Sequence, residues 1–246
     1  MKNSIGILLT ILVMLTLGCR HDGGSDVGPQ GNGGANEWPI YFNFENVTGS
    51  KINNDGNTSH FGTAYGIQIG TGKSGNGAIF DGNARIDLDG FRILTSDSNP
   101  IEFSAGQASL SVWIRPASYN SGNEHIIFYS RSIRLTLVGG KVVVKLFDGT
   151  FLDEAQSTTV IPTNEWHHIG VILDGGIKLY VDGVLEAETN KLVPLSGIYE
   201  NGNAGLGNLP NLYIYGSTED PYIGEIDEFY LINKAISVDK MNSLSQ

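Results

Sequence analysis

The chain has 246 residues, one cysteine and a formal net charge of −11 at pH 7. An acidic chain without a basic cluster is a poor candidate for binding nucleic acid, because attraction to phosphate requires a positive surface. A single cysteine also excludes an internal disulfide bond, so the fold must depend on its core or on a bound ion.

The N-terminus predicts export. Lys2 precedes an apolar run from Ile5 to Leu17, which is too short to span a bilayer comfortably and is typical of a signal peptide. The run ends in glycine and Cys19, and this end resembles the lipobox of bacterial lipoproteins. The resemblance implies that residues 1–18 are removed and that Cys19 is acylated. The protein is then an exported lipoprotein of the outer membrane or cell surface, which contacts the membrane only through its lipid. The alternative is an ordinary secretory signal that ends in a cysteine by chance.

Residues 19–36 are rich in Gly, Asp, Asn and Pro and predict a flexible tether. The folded domain is predicted over residues 37–246. About 210 residues suit one β-sandwich or barrel better than two small domains. We expect this domain to be a monomer.

From residue 37 onward, short β-branched and aromatic segments alternate with dipeptides that favour tight turns. Six Asp-Gly pairs occur in this region, and Asp182-Gly183 predicts a two-residue hairpin. Ser237 and Asp239 mark the start of the one predicted helix, over residues 237–244. This pattern predicts an all-β, two-sheet antiparallel sandwich. The predicted strands are 40–44, 84–88, 109–114, 125–129, 133–138, 141–147, 166–173, 177–181, 211–215 and 225–231.

Four segments, in this order, resemble the laminin-G-like group of the concanavalin A-like superfamily. They are GKSGNGAIFDG at 72–82, SLSVWIRP at 109–116, EWHHI with LYVDG within 165–183, and GEIDEF with NKAIS within 224–237. The resemblance implies a jelly-roll sandwich of two antiparallel sheets. The motifs are mostly architectural, so Trp113 and Trp166 are interpreted as core residues.

His167 and His168 are adjacent on a predicted strand and point to opposite faces, so they are interpreted as structural residues that cannot chelate one metal together. The segment from Glu225 to Tyr230 resembles the Glu-x-Asp-x-x-Glu strand of family 16 glycosidases. Tyr230 stands where the second glutamate would be. A retaining mechanism needs two carboxyl groups, so we assign no catalytic residue and favour a protein that is not an enzyme.

The resemblance also implies a structural calcium ion that joins the N-terminal loop to the last strand. The corresponding ligands are Glu45, Asn54, Asp55 and Asp227, which carry the oxygen ligands that Ca²⁺ prefers. The alternative is that Asn54 and Asp55 form an Asx-type turn and that Asp227 accepts hydrogen bonds from loop amides.

Three tyrosines in Asn- and Gly-containing loops, Tyr119, Tyr199 and Tyr222, are candidates for stacking on sugars. Export, tether and fold together favour a lipid-anchored module that binds a glycan or another extracellular ligand. A glycan-active hydrolase or lyase of the same superfamily is the first alternative. A protein-binding, adhesive surface domain is the second.

Overall fold

A computed structural model describes residues 38–89, 107–120, 122–130, 132–147, 151–191, 204–208, 219–232 and 234–246. In these residues, two β-sheets are followed by one short helix. The strands are β1 (Ile40–Phe42), β2 (Val47–Thr48), β3 (Lys51–Asn53), β4 (Phe61–Tyr65), β5 (Gln68–Thr71), β6 (Asn76–Asp81), β7 (Arg85–Asp89), β8 (Gln107–Ser118), β9 (Glu124–Tyr129), β10 (Ile133–Val138), β11 (Lys141–Phe147), β12 (Phe151–Val160), β13 (His167–Asp174), β14 (Ile177–Val181), β15 (Val184–Glu188), β16 (Gly205–Leu206), β17 (Glu219–Pro221) and β18 (Ile223–Ile232), and the helix is α1 (Val238–Leu244).

Within the described residues, the first sheet has the strand order β15-β14-β13-β8-β18-β6-β5, and β1 pairs with β18. The second sheet has the order β12-β11-β10-β9-β16-β7-β4-β3-β2, and β17 pairs with β9. All described pairings are antiparallel except that of β17 with β9. The architecture confirms the predicted two-sheet antiparallel sandwich.

The core lies between the two sheets and is built from alternate residues of each strand. In β8, Leu110, Val112 and Ile114 belong to the core, and in β10 Leu135 and Leu137 do so. Successive side chains of a strand point to opposite faces, so one face of each sheet packs in the core and the other points outward. Burial of this apolar surface is the main source of stability.

Helix α1 covers part of the outer face of the first sheet. The Ser237 side chain accepts a hydrogen bond from the backbone N–H of Lys240 at 3.2 Å, which caps the first turn as predicted. Met241 is fully buried over β13, where a Cβ at Gly170 would lie 2.4 Å from the Met241 sulfur. The glycine therefore makes room for the helix on the sheet.

Nine of the ten predicted strands coincide with observed ones. The tenth, at 211–215, lies outside the described residues, as do the signal peptide, the tether and Cys19. Strands β2 to β6, β12 and β15 to β17 were not predicted. Trp113 is buried as predicted, but Trp166 is only half-buried and lies just before β13, so its assignment to the core was wrong.

The hairpin prediction at Asp182-Gly183 is confirmed. These residues join β14 to β15 and have φ angles of 49° and 77°, as a type I′ turn requires. No helix among the described residues has the length and apolar character needed to cross a membrane.

Candidate functional site

One row of residues crosses eight strands on the outer face of the second sheet. Each member is paired with the next across neighbouring strands, while adjacent positions such as Leu135, Val144 and Ile86 belong to the core. Strands lie about 4.8 Å apart, so eight of them extend the row over about 34 Å. We call it the outer row, and it runs through Glu154, Lys145, Arg134, Tyr129, Gly205, Asp87, Thr63 and Lys51.

The middle of the outer row contains an arginine held by two aromatic rings. The guanidinium carbon of Arg134 lies 4.6 Å from the ring centroid of Phe147 and 5.2 Å from that of Tyr129. Such contacts are favourable because the ring face carries partial negative charge. Stacking fixes the plane of the guanidinium group.

Two further cation–ring contacts lie toward the other end of the row. Arg85 lies 3.9 Å from the ring centroid of Tyr65, and its Nε is 3.0 Å from the Asp87 carboxylate. The Lys51 ammonium group lies 4.8 Å from the ring centroid of Phe61. The outer face therefore repeats one combination, a flat ring next to a hydrogen-bond donor.

Gly205 is paired with both Tyr129 and Asp87 in the outer row. A Cβ at this position would lie 2.7 Å from the backbone oxygen of Ile86, so the close approach of β7 requires glycine. Gly205 and Tyr129 are both buried, so neither is open to a ligand. Among the described residues of this face, the rings of Tyr65 and Phe151 are exposed, and exposed rings can pack against the apolar faces of sugars.

The predicted ligand tyrosines do not form a site. Tyr222 is fully buried, its ring packs on Phe80, and its hydroxyl donates to the backbone oxygen of Glu225 at 3.1 Å. Its prediction as an exposed loop residue was therefore wrong. Tyr119 is half-buried, and its hydroxyl donates to the backbone oxygen of Ile161 at 2.9 Å. Tyr199 lies outside the described residues.

All four predicted calcium ligands accept hydrogen bonds from the protein. The side-chain oxygen of Asn54 accepts from the backbone N–H groups of Tyr41 and Gly56, at 2.8 and 3.0 Å. Asp227 is fully buried, and its carboxylate accepts from the backbone N–H groups of Ser74 and Glu228, at 3.0 and 2.7 Å. These are the contacts that the alternative interpretation predicts. Burial raises the pKa of Asp227 to about 7.

The other two predicted ligands lie in an acidic surrounding. The Glu45 carboxylate accepts from the backbone and side-chain N–H groups of Asn76, at 2.6 and 2.8 Å. One carboxylate oxygen of Asp55 is buried without a hydrogen-bond partner in the described part of the chain. Burial raises the pKa of Asp55, and the Glu45 charge raises it further. Within the described ranges, no three His, Cys, Asp or Glu side chains are arranged to hold a metal ion.

Glu228 was not singled out from the sequence, although it lies in the same surrounding. Its carboxylate accepts hydrogen bonds from the hydroxyls of Tyr41 and Tyr230, at 2.8 and 2.9 Å. Burial raises the pKa of Glu228, and the charges of Glu45 and Asp55 also raise it. Glu228 has a φ of 48° and lies where the pairing register of β18 shifts, which no sequence motif predicts.

The adjacent histidines have separate structural partners, as expected for side chains on opposite faces. His168 is fully buried, with its Nε2 2.8 Å from the Ser111 hydroxyl oxygen and its ring against Trp113. Burial lowers the pKa of His168 to about 4. The Nδ1 atom of His167 lies 2.7 Å from the Asp182 carboxylate.

Several solved structures share this fold at low sequence identity. Domain 4 of AbnA, a GH43 extracellular arabinanase from Geobacillus stearothermophilus solved in complex with arabinotriose, is 20% identical with a TM-score of 0.59, and the match covers 85% of this chain and 98% of that one. The binding domain of Paraclostridial Mosquitocidal Protein 1 is 16% identical with a TM-score of 0.63, covering 85% of this chain and 52% of that one.

A botulinum neurotoxin type C structure, whose description links cell entry to two ganglioside molecules, is 16% identical with a TM-score of 0.64. That match covers 85% of this chain and 50% of the other, so this chain spans about half the length of the toxin chains. None of the curated proteins matches the sequence. The family model Laminin_G_3, described as concanavalin A-like lectin/glucanases superfamily, matches residues 91–241, which is more than half of the sequence, and the chain therefore belongs to this family.

Proposed function

We propose that the protein is a carbohydrate-binding module that holds its ligand along the outer row. The observation that carries this proposal is the set of aromatic rings on the outer face of the second sheet, where Tyr65 and Phe151 are exposed and Phe147 is half-buried. Such a surface offers rings for the apolar faces of sugars and polar groups for their hydroxyls. The arabinotriose complex of a domain with the same fold supports the proposal.

A glycan array with the purified protein, followed by calorimetry on the best ligand, tests this proposal. We expect Phe147→Ala to weaken binding about tenfold, because it removes one of the two rings that hold Arg134. The comparison variant is Tyr119→Ala, which lies off the outer row. Melting curves of both variants separate folding defects from binding defects. Loss of binding in Tyr119→Ala with full binding in Phe147→Ala would place the ligand elsewhere.

The proposal includes a lipid anchor at Cys19, which would hold the module at the outer membrane or cell surface. The tether of residues 19–36 would then keep the domain at some distance from the bilayer. We expect Cys19→Ser to abolish labelling by a palmitate analogue and to move the protein from the detergent phase to the aqueous phase. A variant that is still labelled and membrane-associated would exclude Cys19 as the acylation site.

We also propose a structural calcium ion between the N-terminal loop and the end of the domain. The buried Asp55 oxygen without a partner and the nearby Glu45 charge support this part of the proposal. A cation would relieve the repulsion that these carboxylates impose on Glu228. Asp55 would hold the ion through its oxygen without a partner, and Glu45 would do so with oxygens that also accept hydrogen bonds from Asn76.

Calcium should therefore stabilise the fold. An ion at a hundredfold excess over its Kd contributes about 2.7 kcal/mol, which corresponds to a Tm increase of about 5–10 °C for a domain of this size. We expect EDTA to reverse this increase and Asp55→Asn to lose the response, while Asp87→Asn, on the second sheet, should retain it. Identical melting curves in EDTA and in millimolar calcium would contradict the calcium site.

A further inference from the structure

Strand β12 is the outermost strand of the second sheet in the part of the chain that the structure describes. The free edge of such a strand carries backbone N–H and C=O groups that can add a strand from another molecule. Glu154 is paired with Lys145 of β11, and its N–H donates to the Asp153 side chain at 3.0 Å. Alternate residues of a strand point their backbone groups to the same side, so Leu152 and Gln156 face the free edge together with Glu154.

Two irregularities bring the side chain of Glu186 onto this strand. In β15, a shift in the pairing register leaves Glu186 without a partner in β14. In β12, a second shift leaves Thr158 and Thr159 without partners in β11. An extra residue of this kind bends its strand and redirects a side chain. The two irregularities lie against each other, and Glu186 joins the edges of the two sheets.

The Glu186 carboxylate accepts four hydrogen bonds from the irregular part of β12. It accepts from the backbone N–H groups of Thr158 and Thr159, at 2.9 and 3.0 Å, and from both threonine hydroxyls. Hydrogen bonds to an ionised carboxylate are stronger than those between neutral groups. The Lys191 ammonium group donates to the backbone oxygen of Leu152, close to the other end of β12. Charged side chains therefore occupy backbone groups near both ends of the strand.

The composition of β12 would allow it to pair with a second copy of itself. In antiparallel pairing centred on Ala155, Glu154 of one copy lies opposite Gln156 of the other. Both acidic residues of the strand then lie opposite neutral ones, so the repulsion of like charges across the pair is avoided. Phe151 and Val160, at the two ends of β12, are more than half exposed and would gain apolar contacts.

From these contacts we infer that Glu186 and Lys191 keep the free edge of β12 closed to a further strand. The strand that this edge would otherwise add is β12 of a second copy of the chain, because two identical edges form a symmetric antiparallel pair. The closed edge agrees with the monomer that we expect from the sequence. The inference does not depend on the proposed carbohydrate binding.

Removing the cap should allow the protein to associate with itself. Every variant is made in the full-length protein that carries Cys19→Ser, so that no lipid contributes to association. We expect the apparent mass of Glu186→Ala to increase about twofold as its concentration rises, while the protein with Glu186 keeps the mass of one chain. Gel filtration with light scattering measures this mass. Glu188→Ala is the matched control and should stay monomeric, because Glu188 lies on the same strand and contacts only Lys178, at 3.5 Å, among the described residues.

Two further variants locate the contact at β12. Gln156→Pro removes an N–H group that faces the free edge, and proline is tolerated on an edge strand. Added to Glu186→Ala, it should restore the monomer. Lys191→Ala opens the other end of the edge and should also raise the apparent mass, which keeps the test decisive if Glu186→Ala does not fold. The inference is overturned if each uncapped variant that folds stays monomeric, if the dimer persists with Gln156→Pro, or if Glu188→Ala associates equally.

Discussion

Replacing Trp113 with alanine should lower the free energy of unfolding by about 3–5 kcal/mol, which is the usual cost of removing a large buried aromatic side chain. Trp113 lies in β8, is 6% exposed and packs edge-on against the His168 ring. Its indole N–H donates to the backbone oxygen of Leu244 at 3.1 Å. The truncation would therefore leave a cavity on the sheet and also release the end of α1.

Urea unfolding at pH 7 would measure this loss. Two further variants would separate the contribution of the buried ring from that of the hydrogen bond. Trp113→Phe keeps most of the apolar volume but removes the bond to Leu244, so it should cost about 1–2 kcal/mol. Trp166→Ala is the matched control, because Trp166 is only half-buried. It should cost less than about 2 kcal/mol. Equal losses in the two alanine variants would show that Trp113 does not join the helix to the sheet.

The sequence contained enough information to predict the local hairpins and the helix. Asp182-Gly183 adopts positive φ angles because both residue types tolerate that conformation, and the flanking segments become β14 and β15. Ser237 caps α1 through its hydroxyl. These features depend on residues close together in the chain, so composition and spacing predict them.

Burial was harder to predict, because it depends on neighbours that are distant in sequence. The β12 segment FLDEAQSTTV has few apolar residues, since it is the outermost strand of its sheet and buries only Ala155 and Ser157. Tyr222 follows an acidic loop sequence typical of an exposed turn, yet its ring packs on Phe80. A side chain next to a turn can belong to the core when another strand lies over it.

The outer row could not be predicted, because its members are consecutive only in space. Tyr129 and Asp87 are separated in the sheet by Gly205, which comes from a two-residue strand much later in the chain. Arg134 and Phe147 approach each other through the register of β10 and β11. A sequence without strand order gives no reason to place these residues on one face. The sequence patterns instead favoured loop tyrosines as ligand residues.

His168 offers a second large effect, because it is a titratable group in a site that disfavours its charged form. The ring is fully buried, its Nε2 contacts the Ser111 hydroxyl, and its Nδ1 has no hydrogen-bond partner in the described residues. Burial lowers its pKa from 6.5 to about 4, the nearby Asp182 acts against this decrease, and Lys73 adds to it. Trp113 packs against the same ring without contributing a charge.

The stability of the domain should consequently fall in acid through this residue. Between about pH 6.5 and pH 4 the unfolded chain binds a proton at His168 that the folded chain does not, so unfolding becomes more favourable as the pH decreases. One pKa unit corresponds to about 1.4 kcal/mol, so the full effect is about 3 kcal/mol. Above pH 6.5 the ring is neutral in both states, and the contribution no longer changes with pH.

Urea unfolding of the wild type and His168→Gln from pH 7 to pH 4 would isolate this effect. A comparison is needed because Asp227, whose pKa burial raises to about 7, favours the folded state in acid and so acts in the opposite direction. We expect the wild type to lose about 3 kcal/mol more than the variant over this range. An NMR titration should also place the His168 ring well below the ordinary histidine pKa. Parallel stability curves, with a ring that titrates near pH 6.5, would show that the His168 site admits the imidazolium ion despite its burial.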